Sequence, residues 1–152
     1  MDRHQLFGGP MGVTDWGRPL SPGKKAQLMW EILASYAVAR GAMRTNKLAE
    51  AASRVRRIRG RASPRVAPED RQYAALHLAS AVNRVLGKLP TDSRCLARSL
   101  VLTSLLAHRG IDSSLVIGVR SEPEFAAHAW VELDGRALLP PGDQFMQRMV
   151  EV

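Results

Sequence analysis

The only cysteine of this 152-residue chain, Cys95, sits in Asp92-Ser93-Arg94-Cys95-Leu96-Ala97-Arg98-Ser99-Leu100, which reads as the opening turn of a helix. A histidine, His128, sits in Ala127-His128-Ala129-Trp130-Val131-Glu132, which reads as a strand. A thiol and an imidazole delivered by those two element types are the parts of a cysteine-nucleophile acyl-transfer site. The thiolate is the reactive species, and the unpaired N–H groups and dipole of a helix N-terminus stabilise negative charge there. Arg94 and Arg98 add positive charge nearby and are candidates to hold a peptide. The plain structural alternative for a lone cysteine in an apolar helix is a small buried hydrophobe. Ala127 and Ala129 leave room to approach the imidazole, and Trp130, on the same face of the strand, can shield it from water or contact a substrate.

A third group must orient the ring by accepting its second N–H, expected at Nδ1. Glu132 shares the face of His128 but lies four residues along, about 13 Å at ~3.3 Å per residue, which is too far. Asp134 is further still, in a tight Asp134-Gly135 turn. A two-residue hairpin there sets Leu133 opposite Arg136 and His128 opposite Pro141. Neither Pro140 nor Pro141 offers an accepting side chain. Asp143, just beyond, is the candidate orienter, with a backbone carbonyl or a water as the alternative.

The elements that must position this pair follow in order. Ser21-Pro22 is a helix start, and Leu28, Ile32, Tyr36 and Ala39 line one face, with Met29 and Leu33 beside them, of a helix over about 22–40 stopped by Gly41. Residues 46–59 read as a second helix whose outer side carries Arg54, Arg56, Arg57 and Arg59. Residues 60–68 form a linker loop. Glu69-Asp70 open a third helix with Tyr73, Leu76, Ala79, Val82 and Leu86 on a wide apolar face; His77 beside that face reads as a half-buried structural histidine. With Asp92 or Ser93 as its cap, the helix that carries Cys95 is apolar almost all round and is expected at the centre of the domain. The pattern then turns to short strands: 115–119, 125–133 and 136–139, with a tail from Asp143 that is either a short helix or frayed. Helices first and a small antiparallel sheet last make an α+β fold. The expected organisation is a flexible arm over 1–20, a helical region with a basic face over 21–66, and the catalytic core over 67–152.

With 22 Lys+Arg against 14 Asp+Glu, the net charge of +8 favours an acidic partner. No aromatics interleave the arginines of 54–59, which argues against single-stranded nucleic acid. One cysteine excludes an internal disulfide, and no signal-like or spanning apolar run is present, so a cytoplasmic protein without a membrane span is expected. His4, His77, His108 and His128 lack metal-ligand spacing, and nothing calls for a cofactor or a metal.

Arg94 to Leu100, Leu105-Leu106-Ala107-His108-Arg109-Gly110-Ile111, Leu115 to Val119, and Phe125 to Glu132, taken in order, resemble the transglutaminase-like leader peptidases of lasso peptide biosynthesis, the B2 proteins. The resemblance covers about residues 70–140. It implies a papain- or transglutaminase-like cysteine protease core that removes the leader from a ribosomally made precursor, with Cys95 as nucleophile and His128 as base and acid. It implies as partners the precursor leader and the leader-binding B1 protein, a RiPP recognition element, with the macrolactam-forming cyclase as a further candidate. The acidic third residue of the family would fall near Pro140, where this sequence departs. The resemblance gives Arg54 and Arg57, on the basic face, a possible meaning as a contact to the leader or its carrier. Two other readings use the same residues. One is an amine acyltransferase with the same Cys-His pair; the other is a non-catalytic basic adaptor in which Cys95 is packing.

Overall fold

Ser21 and Pro22 start the first helix as their chemistry dictates: the Ser21 hydroxyl accepts the Lys24 N–H at 3.4 Å, and proline occupies the first turn, where no N–H is needed. The computed structural model describes residues 19–45, 50, 66–89, 94–141 and 146–151. The expected arm over 1–20 (but for its last two residues), nearly all of the helix expected over 46–59, most of the 60–68 linker, Arg54, Arg57, the caps Asp92 and Ser93, and Asp143 lie outside the described residues.

Helix α1 (Pro22–Arg44) buries Leu28, Ile32 and Ala39, the expected face. It runs past Gly41, which was expected to stop it. That glycine is exposed and nothing crowds it, so a helical conformation there costs only its propensity penalty. The stop comes at Thr45, whose hydroxyl donates to the carbonyls of Gly41 and Ala42. Helix α2 (Pro68–Leu86) has Glu69 and Asp70 in its first turn and Gly87 at its end. Its buried stripe is Ala74, Ala75, Leu78, Ala79, Val82 and Leu86. Tyr73 and Leu76, expected on that face, are about half exposed, because the buried stripe is centred on Ala74, Leu78, Val82 and Leu86 instead.

That neighbour is α3 (Arg94–His108), which packs against both other helices and against the sheet. Leu100, Val101, Leu102, Leu105 and Leu106 are all almost wholly buried, as its all-round apolar sequence requires. Gly110, at φ 70°, closes it: Gly110 N–H reaches the Ala107 carbonyl and Ile111 N–H the Leu106 carbonyl. Arg109 then ties this end to α1, its Nη2 2.7 Å from Glu31 Oε2.

Four antiparallel strands follow: β1 (Ser114–Arg120), β2 (Ala126–Leu133), β3 (Arg136–Ala137) and β4 (Gln147–Glu151), in the order β3-β2-β1-β4. The β2–β3 turn is the expected two-residue hairpin. Asp134 and Gly135 take φ 50° and 76°, and Leu133 pairs with Arg136. β3 is shorter than the expected 136–139. After one more bond, Leu138 N–H to the Val131 carbonyl at 2.7 Å, the chain enters Pro140-Pro141, which has no N–H to extend the ladder. The tail is neither helical nor frayed over its described part: Gln147–Glu151 adds a strand on the free edge of β1. The result is an α+β fold with three helices and a four-stranded antiparallel sheet among the described residues. No helix among them is long and apolar enough to cross a membrane.

Candidate active site

Cys95 is the second residue of α3, half-buried, one turn before the fully buried Ser99. It is a free thiol, placed where the first N–H groups of the helix have no intrahelical partner. The backbone of Arg94 opens the helix; its side chain is outside the described residues. Arg98, a candidate to hold a peptide, donates from Nη1 to Asn83 Oδ1 at 2.6 Å and so braces α3 against α2.

His128 lies in β2, opposite Gly118 of β1, and is half-buried. α3 packs against β2, so the elements that carry thiol and imidazole are direct neighbours. Among the described residues no hydrogen bond joins the thiol to the ring. Such contacts are commonly long in a ligand-free site and tighten when substrate binds.

The ring is held by the main chain. His128 Nε2 lies 2.7 Å from the Pro140 carbonyl oxygen. A carbonyl oxygen can only accept, so Nε2 carries the proton and, in the neutral ring, Nδ1 keeps the lone pair. This corrects the expectation that Nδ1 is the orienting nitrogen. The residue at the position of the family acid does supply an acceptor, through its main chain. The side chains of Pro140 and Pro141 offer none, and the backbone-carbonyl alternative accounts for the bond without Asp143.

Trp130 stacks on the imidazole, ring centroids 6.2 Å apart and planes inclined by 21°. It is only 4% exposed, so it presents little surface to a substrate and instead backs the histidine. Its indole lies over Gly118: a Cβ there would come within 2.8 Å of the ring. Trp130 Nε1–H donates to Glu132 Oε1 at 2.7 Å, and Glu132 Oε2 accepts from Arg148 Nη2 at 2.7 Å. Glu132 therefore does not touch His128, in line with the spacing argument, yet it is connected to it through the indole. His77 is half-buried in α2, as expected, and His108 is exposed in the last turn of α3.

Sequence reasoning missed the Pro140 carbonyl, Gly118 and Arg148. Only Gly118 left a signal, since a glycine inside an apolar strand marks a close approach by something bulky.

The description of the transglutaminase-like superfamily matches residues 37–149, a span that includes both Cys95 and His128. The chain is also 48% identical over 46 residues to the microcin J25-processing protein McjB of Escherichia coli. That match spans 30% of this chain and 22% of McjB. No solved structure matches the chain significantly.

Proposed function

Given that the chain belongs to the transglutaminase-like superfamily, we propose that it is a cysteine peptidase that removes the leader from a ribosomally made lasso peptide precursor. The observation that carries this reading is the imidazole held through Nε2 on the Pro140 carbonyl, which leaves Nδ1 as the base, on a strand packed against the helix that opens with Cys95. The likeness to a microcin-processing protein supports the substrate class.

Cys95 Sγ gives its proton to His128 Nδ1 and attacks the scissile carbonyl carbon. The tetrahedral oxyanion forms beside the N-terminus of α3, where the Cys95 backbone N–H is the candidate donor. On collapse the C–N bond breaks, and the leaving amine of the core peptide takes the proton from Nδ1. Water, deprotonated by Nδ1, then attacks the thioester; the leader leaves as a free carboxylate and the thiol is restored. One water is consumed for each bond cleaved. A leader-binding B1 protein delivers the precursor in this scheme, and Arg54 and Arg57 are proposed contacts to the leader or to that carrier. The freed amine suits a ring-closing cyclase as the next enzyme.

The test is incubation with a candidate precursor and its leader-binding protein, read by mass spectrometry. Wild type should yield free leader and free core, and Cys95→Ala intact precursor. A cross-linked or amidated product would assign acyl transfer to an amine instead. Intact precursor with both proteins, together with a thiol that resists alkylation until denaturation, would assign the adaptor role.

A further inference from the structure

The proposed chemistry leaves Glu132 and Arg148 unused, although Glu132 is tied to the imidazole through Trp130, and Arg148 through Glu132. We propose that Glu132 and Arg148 are positioning residues for His128, acting through Trp130, so that the C-terminal strand β4 is part of the machinery that sets the base. This deepens the reading of His128 as the base and rests on it.

The argument runs across the sheet. Gly118 of β1 pairs with His128 on one side and with Arg148 on the other, so the three positions form one line over three strands. The missing side chain in the middle is the floor on which the indole lies. An indole packed there could still turn over and present its N–H to the other side. Glu132 prevents that by accepting the N–H, and a buried indole N–H without an acceptor is costly. The carboxylate is itself nearly enclosed, its side chain 12% exposed, and so needs a partner for its charge. That partner is Arg148, 52% exposed at its side chain. Its backbone lies level with His128, but its guanidinium meets Glu132, so its side chain reaches back along the strands to the carboxylate.

The imidazole is thus restrained twice: in its plane by the Pro140 carbonyl and on its face by the indole. Only the second restraint depends on side chains that can be changed. Loosening the indole frees the ring to rotate off Pro140, which would mix the two neutral tautomers and misdirect Nδ1.

Two measurements on the full chain test this. Nitrogen-15 NMR of the histidine rings, taken without any substrate, reads the tautomer of His128; steady-state cleavage reads kcat and KM separately. In wild type the neutral ring should be the Nε2–H tautomer. Glu132→Leu and Arg148→Gln should each populate the Nδ1–H tautomer and lower kcat about tenfold, with KM little changed. Glu132→Gln keeps an acceptor for the indole and should stay closer to wild type in both. An unchanged tautomer in folded Glu132→Leu and Arg148→Gln overturns the proposal, as does a fall in activity that only follows the fraction unfolded. Because the ring spectrum needs no cleavage, a wild-type protein that fails to cut would sink the peptidase reading and leave this one to be judged by NMR.

Discussion

Helix α3 and strand β2 supply the two reactive groups, and different physics holds each. α3 is placed by burial: its leucines and Val101 touch helices on one side and sheet on the other. β2 also has a buried row, Ala129, Val131 and Leu133; in the alternate row Trp130 is just as buried, but His128, Trp130 and Glu132 are also joined by directional contacts. Close packing fixes where a helix lies. It cannot choose which ring nitrogen holds a proton, and a hydrogen bond to an acceptor-only oxygen can. Damage to the helix should therefore cost stability, and damage to the polar row should cost turnover.

The largest effect expected is that of Cys95→Ala. Loss of the nucleophile should lower cleavage by at least about 10³-fold, since residual rates come only from binding and oxyanion stabilisation. Thermal unfolding should barely change, because the side chain is half-buried and makes no hydrogen bond among the described residues. Cleavage that survives this substitution would break the comparison at its root.

Next comes Leu102→Ala, on the fully buried side of the same helix. Cavity formation should cost about 2–5 kcal/mol in denaturant unfolding. Turnover per folded molecule should stay within about threefold of wild type. A large loss in kcat at full folding would show that packing sets the site more tightly than argued.

Gly118→Ala sharpens the other half. The added methyl meets the indole edge at 2.8 Å, so the ring must lift. Overpacking of this kind costs about 1–3 kcal/mol, and here the loss should be seen in kcat as well as in stability. Unchanged turnover would mean that the tilt of Trp130 does not reach His128.

How much of this was legible in the sequence depends on what kind of atom does the work. Ser21-Pro22, Glu69-Asp70 and Asp134-Gly135 are side-chain or φ signals, and each gave its element and, for the hairpin, its register. The Cys95 helix was readable because its apolar residues almost surround it. Gly41 misled, since a glycine tolerated on an exposed helix face looks the same in sequence as a glycine that ends one. β4 was hidden because Gln147–Glu151 has no clean alternation and follows two prolines; its pairing with β1 is a tertiary fact. The acceptor for His128 was the least legible, because every residue has a carbonyl and residue type says nothing of where it points.

That last point yields the smallest expected effect and the clearest distinction. If the acceptor is the main-chain oxygen of Pro140, then Pro140→Ala keeps the accepting atom and changes only the stiffness of the chain that carries it. Its kcat should fall by no more than about threefold, a difference under ~1 kcal/mol. Asp143→Ala should be similarly mild. A carboxylate that oriented the ring directly would behave otherwise, because its removal leaves the ring N–H without its partner and should cost one to several orders of magnitude. Paired kcat measurements on the two variants therefore separate the two arrangements: mild losses in both keep the carbonyl as the orienter, and a collapse confined to Asp143→Ala would return that role to the side chain.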